Sequence, residues 1–436
     1  MDMKLLFENG INYIKNSRIY SRVKYRMKNL IYRKRFLYQF MHPYRSLKIK
    51  SGYSPRPNYQ FDDSLLIKKL KEFYLLCNDN FDARNNDSMW TEFFQRLHGE
   101  IHSAFIRGNH KKIVDILRNP GKYNLFYGFD NLNKDSIDKK WLGYRLEPEI
   151  AMDCLLSLCE AVGIVSMSNP ERLFSVQTIN PEEAVQLLSL TFKFNLSFPN
   201  PFKGEFGIQT KLGIISYRTI QSIYQAWRIS EIVKNIPEPK ILEIGGGLGR
   251  TAYYCRHFGI YDYTIVDIPI STLAQGNFLG RVLHEKDLIM VSESADLENH
   301  NSKIKLTYPK AFFNSTRKYD LIINADSMTE LDKTIAKDYL RKIRHDSSLF
   351  LSINHENNSF SVNSIWKETT GLNRLHRIPN WVRRGYVEEL FEKCPVEPEL
   401  NEEKKSKKIL QNQETGNKFD LAKEKKLQSE KIAVHL

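Results

Sequence analysis

Little in this chain could cross-link it or carry it across a bilayer. Its 436 residues hold five cysteines, Cys77, Cys154, Cys159, Cys255 and Cys394, with no C-x-x-C pair and no His/Cys cluster. That scarcity argues against a disulfide framework and a structural zinc and fits a reducing cytosol. No apolar run approaches the roughly 18–20 residues that span a bilayer. The N-terminus lacks an uninterrupted apolar stretch followed by small residues at a cleavage site. A cytoplasmic protein is therefore expected, neither secreted by that route nor integral to a membrane. No internal repeat is found, and 41% hydrophobic with 27% charged residues excludes full disorder and a collagen-like chain.

The formal charge of +14 first suggests a nucleic-acid binder, but it is unevenly placed. Residues 1–60 carry 14 Lys/Arg against Asp2 and Glu8, whereas residues 61–400 hold 42 basic and 43 acidic residues. A neutral body of this kind argues against an extended nucleic-acid channel. In the leader, Ile19, Val23, Met27 and Leu30 form an apolar helical stripe flanked by Lys and Arg, with tyrosines and phenylalanines interleaved. Such a helix could lie on an anionic leaflet as a peripheral membrane contact, pack on the body or a second subunit, or bind RNA. Ser51-Gly-Tyr-Ser-Pro-Arg-Pro57 reads as the linker that ends it.

Four segments are expected: a basic amphipathic leader over 1–58, a helical N-terminal domain over 59–204, an α/β domain over 205–395 and a charged mobile tail over 396–436. In the second, Trp90, Phe93, Leu97, Ile101 and Phe105 recur at helical spacing, and Asn119-Pro120 stops the next helix. Asn180-Pro181-Glu182-Glu183 supplies a capping side chain, a proline at the first helical position and acids in the first turn. These helices have enough apolar residues for a satellite core. Tyr144-Arg145-Leu146-Glu147-Pro148 reads either as a helix start braced by ion pairs or as a junction that could hold a substrate. From about 205 the texture becomes short β-branched runs alternating with helices, the pattern of a parallel sheet covered on both faces.

Chemistry is concentrated in Lys240-Ile-Leu-Glu-Ile-Gly-Gly-Gly-Leu-Gly-Arg-Thr-Ala-Tyr-Tyr254, read as a strand, a glycine turn and a helix. Glycines let the backbone approach a ligand, and the new helix directs free N–H groups at the same point. A dinucleotide fingerprint requires glycine at position 250, where Arg250 stands. The spacing present is instead Glu243-x-Gly245-x-Gly247-x-Gly249, with Gly246 inside it. A second strand ends at Asp267, 18 residues beyond Gly249, where one carboxylate can accept both hydroxyls of a ribose. A third, Tyr319–Asp326, and a fourth, Ser348–Asn354, deliver Ser327, Glu330, His355 and Glu356 to the same rim.

The acid-x-G-x-G-x-G pattern resembles motif I of class I S-adenosylmethionine-dependent methyltransferases. With Asp320–Leu331, the strand ending at Asn354, and Arg383-Arg384-Gly385-Tyr386-Val387-Glu388-Glu389, the chain over roughly 140–395 is similar to a family of sugar O-methyltransferases associated with methylated surface polysaccharides. The resemblance implies a Rossmann-like doubly wound sheet, S-adenosyl-L-methionine bound by Glu243, Gly245, Gly246, Gly247, Gly249 and Asp267, and a carbohydrate or glycan-precursor acceptor. His355 is the first expected general base, with Asp326 and Glu330 behind it; the two acids could alternatively ligate a divalent cation, for which their spacing is a weak signal. Asn354, Arg383, Arg384 and Tyr386 are expected at the acceptor, the paired arginines clamping a phosphate or carboxylate. An RNA methyltransferase with the leader as its arm and a non-catalytic scaffold of the same fold are the alternatives.

Overall fold

The computed structural model describes residues 49–55, 62–81, 90, 93–130, 132, 147–167, 179–368 and 371–394. The leader stripe, residues 144–146 and the tail lie outside the described residues. Strands β1 (Ser51–Tyr53), β2 (Phe206–Thr210) and β3 (Gly213–Ile215) form a small antiparallel sheet. The main sheet has eight strands: β4 (Lys240–Ile244), β5 (Asp262–Val266), β6 (Leu288–Met290), β7 (Ile304–Thr307), β8 (Tyr319–Ala325), β9 (Ser347–His355), β10 (Leu372–Pro379) and β11 (Tyr386–Lys393). They lie in the order β10-β11-β9-β8-β4-β5-β7-β6.

All neighbours from β6 to β9 run parallel, while β11 is antiparallel to both β9 and β10. Every residue of β5 and of β7 is buried, as befits inner strands with both faces covered. Edge strand β10 instead alternates between half-buried and exposed positions after Leu372. The chain enters at β4, builds outward through β5 to β7 and then returns to β8 on the other side of β4. A doubly wound sheet opens a crevice at such a reversal, at the carboxyl ends of the strands. The expected α/β architecture is therefore present, and its switch point lies between β4 and β8.

The larger helices are α1 (Ser64–Asp79), α2 (Gly99–Ile106), α3 (His110–Arg118), α4 (Glu147–Ala161), α5 (Pro181–Phe192), α6 (Tyr217–Val233), α7 (Arg250–His257), α8 (Pro269–Val282) and α9 (Lys333–Asp346). Asn180 caps α5 by accepting from the Glu182 N–H at 2.9 Å with Pro181 at the first helical position, as the sequence suggests. The aromatic repeat after Trp90 continues into α2 through a π-helical turn, Phe94–His98.

A separate satellite core does not form. One buried cluster runs from Ile67 through the helical segment to Ile265, Leu351 and Val382 on the sheet side. The physical reason is visible where α1 meets α8. A Cβ on Gly276 would stand 2.5 Å from Leu70 Cδ2, and one on Gly280 would stand 2.4 Å from Leu66 Cδ1. The leucines of α1 thus occupy two notches in a helix that covers the sheet, and burying Leu70 fully is worth roughly 1.5–3 kcal/mol. Asn277, between the notches, donates to the Leu117 carbonyl at 2.9 Å. Asp63, just before α1, is held by Arg118 at 2.6 Å and Arg281 at 2.9 Å.

The linker expected over 51–57 also needs correction. Ser51–Tyr53 pairs with Phe206–Ile208, and Ser54 Oγ donates to the Phe202 carbonyl at 2.6 Å. Within this strand Gly52 makes room for the Gln209 side chain, whose Oε1 would stand 2.8 Å from a Cβ there.

Candidate functional site

The turn after β4 is shaped by positions that side chains rarely tolerate. Gly245, Gly247 and Gly249 have φ of 73°, 55° and 83°, the left-handed region in which only glycine sits without strain. At Gly245 a Cβ would fall 2.0 Å from Ser327 Oγ, so this glycine lets the turns after β4 and β8 touch. Gly247 differs: nothing stands within 4 Å of its would-be Cβ, and it faces a cavity of about 360 Å³. Gly249 is not on the cavity wall; it starts α7 and gives way to Leu279 Cδ1, 2.9 Å from its would-be Cβ.

Two acids border this turn. Glu243 is buried beneath it, accepting from the Tyr263 hydroxyl at 3.0 Å, and burial pushes its carboxyl up to about 7. Asp267 follows β5 on the cavity wall. Its Oδ1 accepts from the Ile268 N–H at 2.9 Å and its Oδ2 from Gln275 Nε2 at 2.7 Å, while burial raises the carboxyl to about 6. Gln275 also donates to the Gly247 carbonyl at 3.2 Å, and its own Oε1 is buried without a partner.

Across the switch point, Asn324 at the end of β8 ties the strand ends together. Its amide donates to the Ile244 carbonyl at 2.9 Å and to Ser327 Oγ at 2.5 Å, and its oxygen accepts from Met328 N–H at 3.1 Å and Asn354 Nδ2 at 2.9 Å. The next residue but one, Asp326, has φ of 68°, a conformation that Asp adopts more readily than most residues. Its carboxylate accepts from the Tyr386 hydroxyl at 2.6 Å and pairs with Arg383 at 2.7 Å; Arg218 lies 3.7 Å away. Arg383 is further stacked on the Tyr386 ring at 3.7 Å.

Glu330 completes this half of the cavity. Trp90 Nε1 donates to its Oε2 at 2.8 Å, and burial together with the nearby Asp326 charge raises the carboxyl to about 7. Trp90 is stacked on Phe129 with ring centres 5.1 Å apart and meets Phe93 edge-on. These three rings form an apolar wall beside the carboxylates.

The structure therefore brings Glu243, Gly245, Gly246, Gly247, Asp267, Asp326, Glu330 and Arg383 to one cavity and leaves other expected residues outside it. His355 is off the wall. Its Nδ1 accepts from the Asn357 N–H at 3.2 Å, so the neutral ring carries its proton on Nε2, 3.9 Å from Asp326. Asn354 is 4% exposed and spends its amide on Asn324 and Ser352, so it braces the strand ends. Arg384 is largely exposed, 4.0 Å from Asp153, because the two arginines occupy a turn between antiparallel strands and diverge. Tyr386 positions Asp326 from behind the wall. Among the described residues no group of three or more His, Cys, Asp or Glu converges on a point that could hold a metal ion.

Sequence reasoning missed the α6 contribution. Arg218, Gln221, Ser222 and Gln225 line the cavity at helical spacing, and Gln225 Oε1 accepts from the Thr251 hydroxyl at 2.7 Å. The recurrence of Arg218, Gln221, Ser222 and Gln225 on one helical face was the available signal. Arg250, singled out as the residue that breaks the dinucleotide pattern, sits in a buried triad with Asp130 at 2.6 Å and Glu205 at 2.9 Å.

No protein-family model matches the chain, and no curated protein matches it. Solved structures do match in part. The mitomycin 7-O-methyltransferase is 13% identical over 41% of this chain and 56% of that one, with a TM-score of 0.29. A glycopeptide N-methyltransferase complexed with sinefungin is 13% identical over 40% of this chain and 94% of its own, at 0.31. An S-adenosylmethionine-dependent methyltransferase from Clostridium acetobutylicum is 13% identical over 40% of this chain and 92% of its own, at 0.30. Among the described residues no helix is long and apolar enough to cross a membrane.

Proposed function

We propose that this chain is an S-adenosylmethionine-dependent O-methyltransferase whose acceptor is a sugar hydroxyl of a cell-surface glycan or its precursor. The observation that carries the reading is one cavity with two chemically distinct ends. At one end stand the open glycine Gly247 and the Asp267 carboxylate, which Gln275 holds from behind the wall; at the other stand Glu330, Asp326 and the aromatic wall.

The first end suits an adenosylated amino acid. Asp267 offers a ribose two oxygen acceptors, and the bare backbone of Gly245–Gly247 leaves room for the ligand to lie against the turn. When bound there, S-adenosylmethionine supplies a methyl group on a positively charged sulfur. The chain's own residues do the rest. Glu330, raised to about 7, is the proposed base that takes the acceptor proton, since a general base works best near the operating pH. Trp90 fixes the Glu330 oxygen it bonds and shields it from water, and the rings of Trp90, Phe93 and Phe129 offer flat apolar surface to the C–H faces of a sugar. Holding the hydroxyl in line with the methyl supplies much of the remaining acceleration.

Mass spectrometry of surface glycans with and without this protein tests the acceptor: loss of about 14 Da, one CH₂, on one sugar is expected, and unchanged glycans would remove the sugar reading. Calorimetry with S-adenosylhomocysteine tests the cofactor separately. The apolar stripe of the leader, with its flanking Lys and Arg, supports a contact with an anionic membrane face. Removing residues 1–48, which spares β1, should abolish binding to anionic vesicles without changing cofactor affinity.

A further inference from the structure

We infer that the acceptor itself carries an anionic group, a carboxylate or a phosphate, which Arg218 and Arg383 hold at the Glu330 end of the cavity. This rests on the methyltransferase reading and narrows its substrate class.

Arg218 is a cation whose donors are not spent. Its Nη1 is 3.7 Å from Asp326 Oδ2, beyond hydrogen-bond length, its Nη2 reaches the Gly128 carbonyl only at 3.4 Å, and its Nε is buried with no partner. A guanidinium left so poorly bonded on a cavity wall is costly unless something else accepts from it. Arg383 stands on the other side of Asp326, paired at 2.7 Å and stacked on Tyr386. Two guanidiniums thus flank one carboxylate, and the wall retains a positive charge that Asp326 does not cancel.

The other acids near Arg218 do not restore the balance: Asp130, which also acts on Arg218, is paired with Arg250 at 2.6 Å. Glu330 is raised to about 7, so near neutral pH it is only partly ionised. Asp267 and Glu243 stand at the glycine end. A planar or tetrahedral oxyanion matches the fork geometry of arginine, which a neutral hydroxyl does not. Arg384, expected to form half of such a clamp, is excluded by its exposure beside Asp153.

The full chain saturated with S-adenosylhomocysteine is titrated with glucuronate, glucose 1-phosphate and glucose, followed by ligand-observed NMR. At least one anionic probe is expected to bind about tenfold or more tighter than glucose, and the comparison of the two distinguishes carboxylate from phosphate. Arg218→Gln should erase the preference, Arg218→Lys should retain part of it, and Arg384→Gln should leave it intact. Circular dichroism checks that each variant is folded. Equal affinity for glucose and both anions, binding of none of the three, or a preference that survives Arg218→Gln overturns the inference. If S-adenosylhomocysteine binds while no anion is preferred, only the substrate class fails; if S-adenosylhomocysteine does not bind, the cofactor reading fails.

Discussion

Trp90 and Glu330, 240 positions apart in the chain, are joined by an indole N–H donated to Oε2 at 2.8 Å. The bond brings a residue of the helical segment onto a carboxyl at the carboxyl end of β8. It leaves the other Glu330 oxygen for an acceptor and keeps the group in an apolar setting.

Glu330→Gln should therefore lower methyl transfer by about 10²-fold or more, the usual weight of a general base, with S-adenosylhomocysteine affinity unchanged. The wild-type rate should rise with pH through about 7, where this carboxyl loses its proton. A rate that is flat from pH 6 to 8 in wild type, or a variant as fast as wild type, removes Glu330 as the base.

The same raised carboxyl has a stability signature. Its ordinary value is 4.5 and its folded value about 7, so between those pH values the folded chain holds more protons than the unfolded one. Its contribution is greatest below about pH 4.5 and is lost as pH rises through 7. Urea unfolding at pH 5.5 and pH 8 should show that the loss across this range is smaller in Glu330→Gln, by roughly 1–3 kcal/mol.

His355→Gln should change turnover by less than about threefold, since the ring stands off the cavity wall and its Nδ1 is bonded to the Asn357 N–H. A hundredfold loss in a folded variant would reinstate it as the base.

Two glycines only two positions apart should fail in different ways. Gly245→Ala forces a Cβ into Ser327 Oγ and should lower the thermal midpoint. Gly247→Ala meets no neighbour, so beyond a backbone cost of about 1–2 kcal/mol its main effect should be weaker S-adenosylhomocysteine binding. Asp267→Ala should weaken the same ligand by about 1–3 kcal/mol through the ribose bonds. Calorimetry on folded variants checks all three, and undiminished affinity in Asp267→Ala would refute its assignment.

Arg250→Met should cost about 3–5 kcal/mol in denaturant unfolding, because it removes the cation with which the buried Asp130 and Glu205 pair. Adding Asp130→Asn and Glu205→Gln should recover part of that loss; no recovery would mean that Arg250 acts through something other than these acids.

What could be read in advance follows from how local each signal is. The strands β4, β5, β8 and β9 and the glycine turn were legible because their apolar runs and glycines are contiguous. The placement of Asp267 was legible because a βαβ unit fixes the interval from turn to second strand. Roles that depend on crossing distances were not. Glu330 faces the cavity beside an indole 240 positions away, a partner that no local pattern announces, and His355 is turned off the wall with its Nδ1 on the Asn357 N–H. Arg383 and Arg384 are adjacent, yet a turn between antiparallel strands sends one to Asp326 and the other towards solvent. Arg218 was invisible because its acidic neighbour lies on another element.

The glycine notches of α8 bear on how this protein can be shortened or recombined. A fragment beginning near residue 205 would keep the glycine turn, Asp267 and Glu330, but would expose Gly276 and Gly280 with the leucine sockets between them and leave the Asn277 amide without its carbonyl. The same cut would discard Asp130 and Trp90, one the counter-ion of Arg250 and the other the bonding partner of Glu330. Transplanting the sheet onto a different helical segment would fail for the same reasons unless α1 came with it. The smallest heritable unit is accordingly the helical segment and the sheet together, and diversification of acceptor choice would have to proceed by substitution at the cavity wall, not by exchange of modules.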